Sequence, residues 1–118
     1  MNIKIKNLNL AKRTSVITGG CGHLGISIAD KLSSCGSDLI LIDLDEKKLN
    51  KVKKKLEKKN KIKVQIYATD LAEKKERNEC ISLIKKNYKV IDIMVNSIGM
   101  VGTDNMKGWN ASFENQSY

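Results

Sequence analysis

Apolar and polar residues along this chain follow two rhythms, and the switches between them mark out the elements. Thr14 to Thr18 is a short apolar run that ends at glycines, the pattern of a buried strand. Leu24 to Cys35 takes up helical spacing, with Ile28, Ala29 and Leu32 on one face and Gly36 as the stop signal. Asp38 to Asp43 (DLILID) is a second strand, apolar through its middle. Glu46 to Lys59 is a lysine-rich helix whose Leu49, Val52 and Leu56 fall at i, i+3 and i+7. Ile62 to Tyr67 (IKVQIY) alternates and predicts a third strand. Glu73 to Asn87 is helical again, with Cys80, Ile81, Ile84 and Tyr88 directed inward. Val90 to Val95 (VIDIMV) is a fourth strand, and residues 97–118 read as an irregular loop rich in Gly, Asn and Ser.

The order β-α-β-α-β-α-β predicts parallel strands joined by right-handed crossovers, with helices on both faces of the sheet. Strands this apolar suit a sheet covered on both sides. No internal repeat, proline-rich linker or second domain interrupts the pattern, so residues 1–118 read as one domain.

Charge changes this picture less than its size suggests. The net +9 lies between Lys47 and Lys63, where ten lysines face one acid, Glu57; the rest of the chain balances. That segment has neither the arginines nor the aromatic rings that base readout and stacking use. It reads as the solvated face of an amphipathic helix, with a salt-sensitive attraction to polyanions as the alternative. No nucleic-acid partner is expected. Met1 to Lys12 has no apolar run of signal-peptide length, and no stretch approaches the ~20 apolar residues of a membrane span. Cys21, Cys35 and Cys80 are odd in number and form no CxxC pair, which argues against a disulfide framework and a zinc site. The expected setting is cytoplasmic, with no membrane partner and no metal.

The chemistry is concentrated where the first strand runs into Thr18-Gly19-Gly20-Cys21-Gly22-His23-Leu24-Gly25. Glycines permit a tight turn and let backbone N–H groups approach a pyrophosphate, to which the helix N-terminus offers partial positive charge. Such a turn is informative in the right context, and here a strand precedes it, a helix follows, and the second strand ends in an acid, Asp43. An acid there can accept hydrogen bonds from ribose hydroxyls and would repel a 2′-phosphate. The residue after it is Leu44 rather than a phosphate-binding arginine, so NAD is expected over NADP. The alternative for Asp43 is a turn or cap residue, a part better suited to Asp45 with Glu46 in the first helical turn. Cys21 stands as a small residue in the turn; its place at a helix N-terminus could also acidify the thiol.

With these residues in hand, the chain resembles the short-chain dehydrogenases/reductases. The TGGCGHLG turn, the end of DLILIDLD, Asp70-Leu71 after the third strand and Val95-Asn96-Ser97-Ile98-Gly99 after the fourth are similar to that family's successive cofactor motifs, in order and nearly throughout the chain. The resemblance implies a Rossmann-type three-layer α/β/α fold with four parallel strands in the order 3-2-1-4. It implies that Gly19, Gly22 and Gly25 form the pyrophosphate turn with Thr18 and Leu24 beside them. Asp43 would hold the adenosine ribose, and Asp70 would face the adenine amino group with Leu71 next to it. Asn96 and Gly99 would correspond to the outer residues of the family's NNAG motif. The glycine spacing TGxxGxxG is that of the extended, epimerase-like branch, because His23 stands where the short branch has glycine; the NNAG-like segment points to the short branch. His23 reads as a turn residue over the cofactor rather than a catalytic base. The tail from Gly102 to Ser117 resembles a substrate-side loop of some family members, in which Trp109 would pack over the missing half or stand as a surface-loop aromatic.

The family exchanges a proton through a Tyr whose pKa is lowered by a Lys four residues later. Here Leu71 follows Tyr67 at that distance and Asp92 follows Tyr88, while Tyr118 is the last residue, so no tyrosine can serve. The expectation is therefore the dinucleotide-binding half of an oxidoreductase acting on hydroxyl or keto groups, possibly of sugars, truncated and inactive alone, and homo-oligomeric only if completed. The alternatives are an NAD-responsive module that completes its sheet on a partner, and a fragment of an extended-branch sugar-nucleotide epimerase or dehydratase.

Overall fold

Strand β1 (Thr14–Thr18) lies at the centre of a parallel four-stranded sheet, flanked by β2 (Asp38–Asp43) on one side and β4 (Ile93–Asn96) on the other, with β3 (Val64–Ala68) outside β2. The computed structural model describes residues 8–99; the expected irregular loop from residue 100 on, Trp109 included, lies outside them. The connecting helices are α1 (His23–Ser34), α2 (Glu46–Asn60) and α3 (Lys74–Asn87).

The strand side chains alternate between two apolar layers. Ile17, Leu39, Leu41 and Val64 point to one face, where they meet Ala29 of α1 and Leu49, Val52 and Leu56 of α2. Val16, Ile40 and Ile42 point to the other, against Cys80, Ile84 and Tyr88 of α3. Period-two strands and period-3.6 helices thus give the three-layer α/β/α arrangement, and the strand order β3-β2-β1-β4 is the one that the family resemblance implies.

Helix ends follow local chemistry. The Asp45 side chain accepts the Lys48 N–H at 3.0 Å and caps α2, with Glu46 in the first turn. Asp43 is therefore not the cap. Gly36 ends the α1 connection at φ +96°, a left-handed conformation that a side chain would resist.

Two strand starts and one burial differ from expectation. Lys61 closes α2 at φ 53°, so Ile62 is spent in the turn and β3 starts at Val64 rather than Ile62. The Asp92 side chain accepts hydrogen bonds from the Thr14 N–H and the Arg13 guanidinium, so ladder pairing of β4 begins at Ile93 and leaves Val90 exposed. On α3 the buried stripe is Cys80, Ile84 and Tyr88; Ile81, rotated about 100° from Cys80 around the helix axis, is 43% exposed and does not join it. No helix among the described residues is long and apolar enough to cross a membrane.

Candidate functional site

Parallel strands deliver all their C-terminal ends to one edge of the sheet. The connection from β1 leads to β2 on one side, and β4 arrives on the other, so the loops above β1 and β4 diverge and leave a crevice. A cleft of about 940 Å³ opens there. Thr18, Gly19, Gly22, His23, Leu24, Gly25, Asp43, Asp70, Leu71, Asn96 and Gly99 all line it, so the structure brings together every residue that the sequence nominates. Leu44, Ser97 and Ile98 line it too, with Thr69 and Ala72, which sequence reasoning missed. Their signal was available: both flank the Asp70-Leu71 pair, in a short turn between a strand and a helix.

The glycine turn has no room for side chains at three positions, one of them Gly20, where a Cβ would lie 2.8 Å from the Leu41 Cβ. Gly19 adopts φ +70°, and a Cβ there would lie 2.8 Å from the Ser97 carbonyl oxygen. A Cβ on Gly25 would lie 2.0 Å from the Gly19 carbonyl oxygen, because the first turn of α1 packs directly on the end of β1. The Gly22 N–H bonds back to that oxygen at 3.1 Å, and the Gly20 N–H donates to the Ile42 carbonyl at 3.1 Å, which ties the turn to β2. Gly22 is extended and starts α1 without a side-chain cap. By contrast, a Cβ on Gly99 would meet nothing within 4 Å among the described residues.

Asp43 is half-buried at the end of β2. Its carboxylate accepts the Cys21 N–H at 3.1 Å and the Leu44 N–H at 2.7 Å. Burial pushes its pKa upward. The Cys21 thiol, these two N–H groups and the Lys48 ammonium outweigh that, and the net shift is below the usual carboxylate range. The Cys21 thiol responds in the opposite sense: burial, followed by the hydrogen bond and negative charge of Asp43, pushes it up to about 11. The acidified thiol considered from its helix N-terminal position is thus not what the structure gives, because the nearby carboxylate and desolvation overcome the helix dipole.

The far wall is tied down as firmly. The Ser97 hydroxyl donates to the Thr18 carbonyl oxygen at 2.5 Å and the Ser97 N–H reaches the same oxygen at 3.2 Å, locking the end of β4 onto β1. Asp70 accepts the Ala72 N–H on Oδ1 at 2.9 Å, and its carbonyl accepts the Glu73 N–H, shaping a tight turn after β3. Among the described residues, no group of three or more His, Cys, Asp or Glu is arranged to hold a metal ion. None of the cleft-lining residues is a lysine or an arginine.

Comparison with known proteins agrees with this geometry. The family model described as short chain dehydrogenase matches residues 13–116. A diacetyl reductase [(S)-acetoin forming] of Staphylococcus epidermidis is 33% identical over 88 residues, spanning 75% of this chain and 34% of that protein. L-sorbose reductase from Gluconobacter frateurii, solved with NADPH and L-sorbose, superposes with a TM-score of 0.77 at 21% identity over 91% of this chain and 40% of that one. An NAD+-bound xylitol dehydrogenase gives a TM-score of 0.67 at 18% identity over 72% of this chain and 32% of its own. The two structures share the fold; the chain spans about a third to two fifths of the length of these relatives.

Proposed function

The chain belongs to the short chain dehydrogenase family, and from that premise we propose that it is the dinucleotide-binding portion of an oxidoreductase acting on hydroxyl or keto groups, with NAD preferred over NADP. The observation that carries the reading is the convergence of all eleven nominated residues on one cleft floored by a glycine turn. The fit to a dinucleotide rests on that turn. Side chains are excluded at Gly19 and Gly25, which leaves backbone N–H groups and the start of α1 to meet a pyrophosphate. Asp43 would accept from the adenosine ribose hydroxyls, Asp70 and Leu71 would hold the adenine, and His23 and Leu24 would lie along the pyrophosphate. Asn96 and Gly99 would flank the nicotinamide side. A bound nicotinamide supplies a hydride acceptor or donor.

Preference for NAD follows from charge. Among the described residues, those lining the cleft present the carboxylates of Asp43 and Asp70 and include no lysine or arginine to neutralise a 2′-phosphate; Lys48, whose ammonium acts on Asp43, lies outside the lining and faces the Asp45 carboxylate at 3.9 Å. The residues of this chain bind and orient. They include no Tyr with a Lys four positions on, so turnover is not expected from these 118 residues alone. The substrate of the full-length relatives, and homo-oligomerisation in a completed chain, belong to the same proposal. So does a cytoplasmic setting, which rests on the unpaired state of Cys21, Cys35 and Cys80.

Calorimetric titration of the chain with NADH and NADPH tests the reading. NADH should bind at least ~10-fold more tightly, and Asp43→Asn should narrow that ratio. Absence of binding by either dinucleotide sinks the proposal; equal affinities sink the cofactor preference alone. A second reading, a module that pairs its sheet with a partner, has one observation in its favour. Met94 on β4 and Ile98 just beyond it are 53% and 50% exposed at that edge of the sheet. Light scattering that gives a monomer, together with failure to capture a stoichiometric partner, would dispose of it.

A further inference from the structure

The adenine end of the cleft is shaped by residues that do not line it. Strand β3 ends at Ala68, and the chain turns through Asp70, Leu71 and Ala72 before α3 begins at Lys74. Turns of this kind have few ways to fix themselves, because their N–H and C=O groups lack ladder partners. Here α3 reaches back to fix this one. The Glu76 carboxylate accepts the Asp70 N–H at 2.8 Å. The Arg77 guanidinium donates to the Leu71 carbonyl at 2.5 Å and to the Ala72 carbonyl at 3.3 Å. Arg77 is half-buried and Leu71 packs against the core layer under α3, so the clamp joins the loop to the rigid part of the fold. The Asp70 carboxylate spends one oxygen, Oδ1, on the Ala72 N–H, which fixes the direction of the group.

We infer that Glu76 and Arg77 are positioning residues that hold the Asp70 turn in the shape the cleft uses to recognise adenine. The inference rests on the dinucleotide reading above. Neither side chain lines the cleft; both act through the backbone of the turn. Their opposite charges lie next to each other on α3, so the clamp adds no net charge to the site. Both carbonyl oxygens are reached from one guanidinium nitrogen, Nη1, whose two N–H bonds can serve one oxygen each, on a group that stays charged at any working pH.

The test compares NADH with its analogue that carries hypoxanthine in place of adenine. The two differ where the Asp70 carboxylate would meet the base: an amino donor in one, a carbonyl oxygen in the other. Wild-type chain should favour NADH. Arg77→Ala should weaken NADH about 10-fold and the analogue by much less, so that discrimination collapses; Arg77→Lys should recover part of it. An equal loss for both ligands would mark a merely structural role and overturn the inference, as would unchanged affinities. Hydrogen exchange of the free chain gives a ligand-independent arm. The Asp70 amide should exchange at least ~10-fold faster in Glu76→Ala, and an unchanged rate overturns the clamp. If wild-type chain binds neither dinucleotide, the reading of the site fails and the positioning role falls with it, even with the exchange result intact.

Discussion

Gly22 and Gly25 stand three residues apart in one turn, and alanine at each should fail in a different way. A Cβ on Gly25 would sit 2.0 Å from the Gly19 carbonyl oxygen and 2.9 Å from its carbon. Favourable carbon contacts begin at about 3.5 Å, so α1 and the end of β1 would have to part by about 1 Å or more. Overpacking of this kind costs about 1–3 kcal/mol. The obstructing atoms are backbone and cannot change rotamer, which points to the upper end. Removing a glycine from the helix returns up to about 1 kcal/mol. The net loss for Gly25→Ala is then about 1–2 kcal/mol, a fall of roughly 5–15 °C in Tm for a domain of this size. At Gly22 the added carbon would meet only the Gly19 oxygen at 3.5 Å, and φ is −78°. Gly22→Ala should stay within about 0.5 kcal/mol of wild type. Its methyl would nevertheless enter the cleft where, on the proposed dinucleotide reading, backbone would approach a pyrophosphate, and NADH affinity should fall about 10-fold or more. Thermal melts by circular dichroism and NADH titration separate the two effects. A Gly25→Ala chain that melts with wild type refutes the steric argument. A Gly22→Ala chain that binds NADH undiminished refutes the placement of the pyrophosphate.

Three further outcomes are expected. With its pKa near 11, the Cys21 thiol at pH 8 should react with iodoacetamide about 100-fold more slowly in the folded chain than in urea, because only the thiolate attacks; peptide mapping that finds equal rates contradicts this. The same raised value means that Cys21 contributes stability below pH 9 and loses it as pH rises from 9 towards 11. The depressed Asp43 contributes stability above about pH 4 and loses it as pH falls further; urea melts across pH should show a shallower alkaline limb in Cys21→Ser and a shallower acid limb in Asp43→Asn, with Cys80, Tyr88 and Asp92 supplying the rest. Leu49→Ala, at a fully buried site under the sheet, should cost about 2–5 kcal/mol, while Lys54→Ala on the exposed face of α2 should stay within about 0.5 kcal/mol, and equal costs would contradict the amphipathic reading of that helix.

Much of this was legible in the sequence because it depends on local patterns. The run TSVIT, the DLILID strand and the Leu49, Val52, Leu56 stripe each carry their own period, and their order was enough to specify the sheet. The cleft residues were legible for a related reason: parallel strands put every strand end on one edge, so residues after β1, β2, β3 and β4 must meet. What escaped depends on geometry between elements. Burial of Ile81 cannot be told from its helical neighbours without knowing how much of α3 the sheet covers. The start of β4 was set by Asp92, whose partners Arg13 and Thr14 lie 79 and 78 residues away in sequence. The acidified thiol that stood as the alternative for Cys21 fails because its charged neighbour comes from β2, not from its own helix.

The pairing register also has a consequence for when the cleft can exist. Thr14 pairs with Asp38 and Leu39 with Val64, so β1, β2 and β3 join across short crossovers. Ser15 pairs with Ile93, a closure several times longer in sequence. Loop-closure entropy favours the short pairings first. A three-stranded intermediate would then carry the glycine turn and Asp43 but not Ser97, whose carbonyl and hydroxyl crowd Gly19 and lock Thr18. The half of the cleft that holds Asp43 would be assembled before the wall that holds Ser97. During synthesis, at roughly 5–20 residues per second, that half-built state would persist for seconds, with the β1 edge open until β4 arrives.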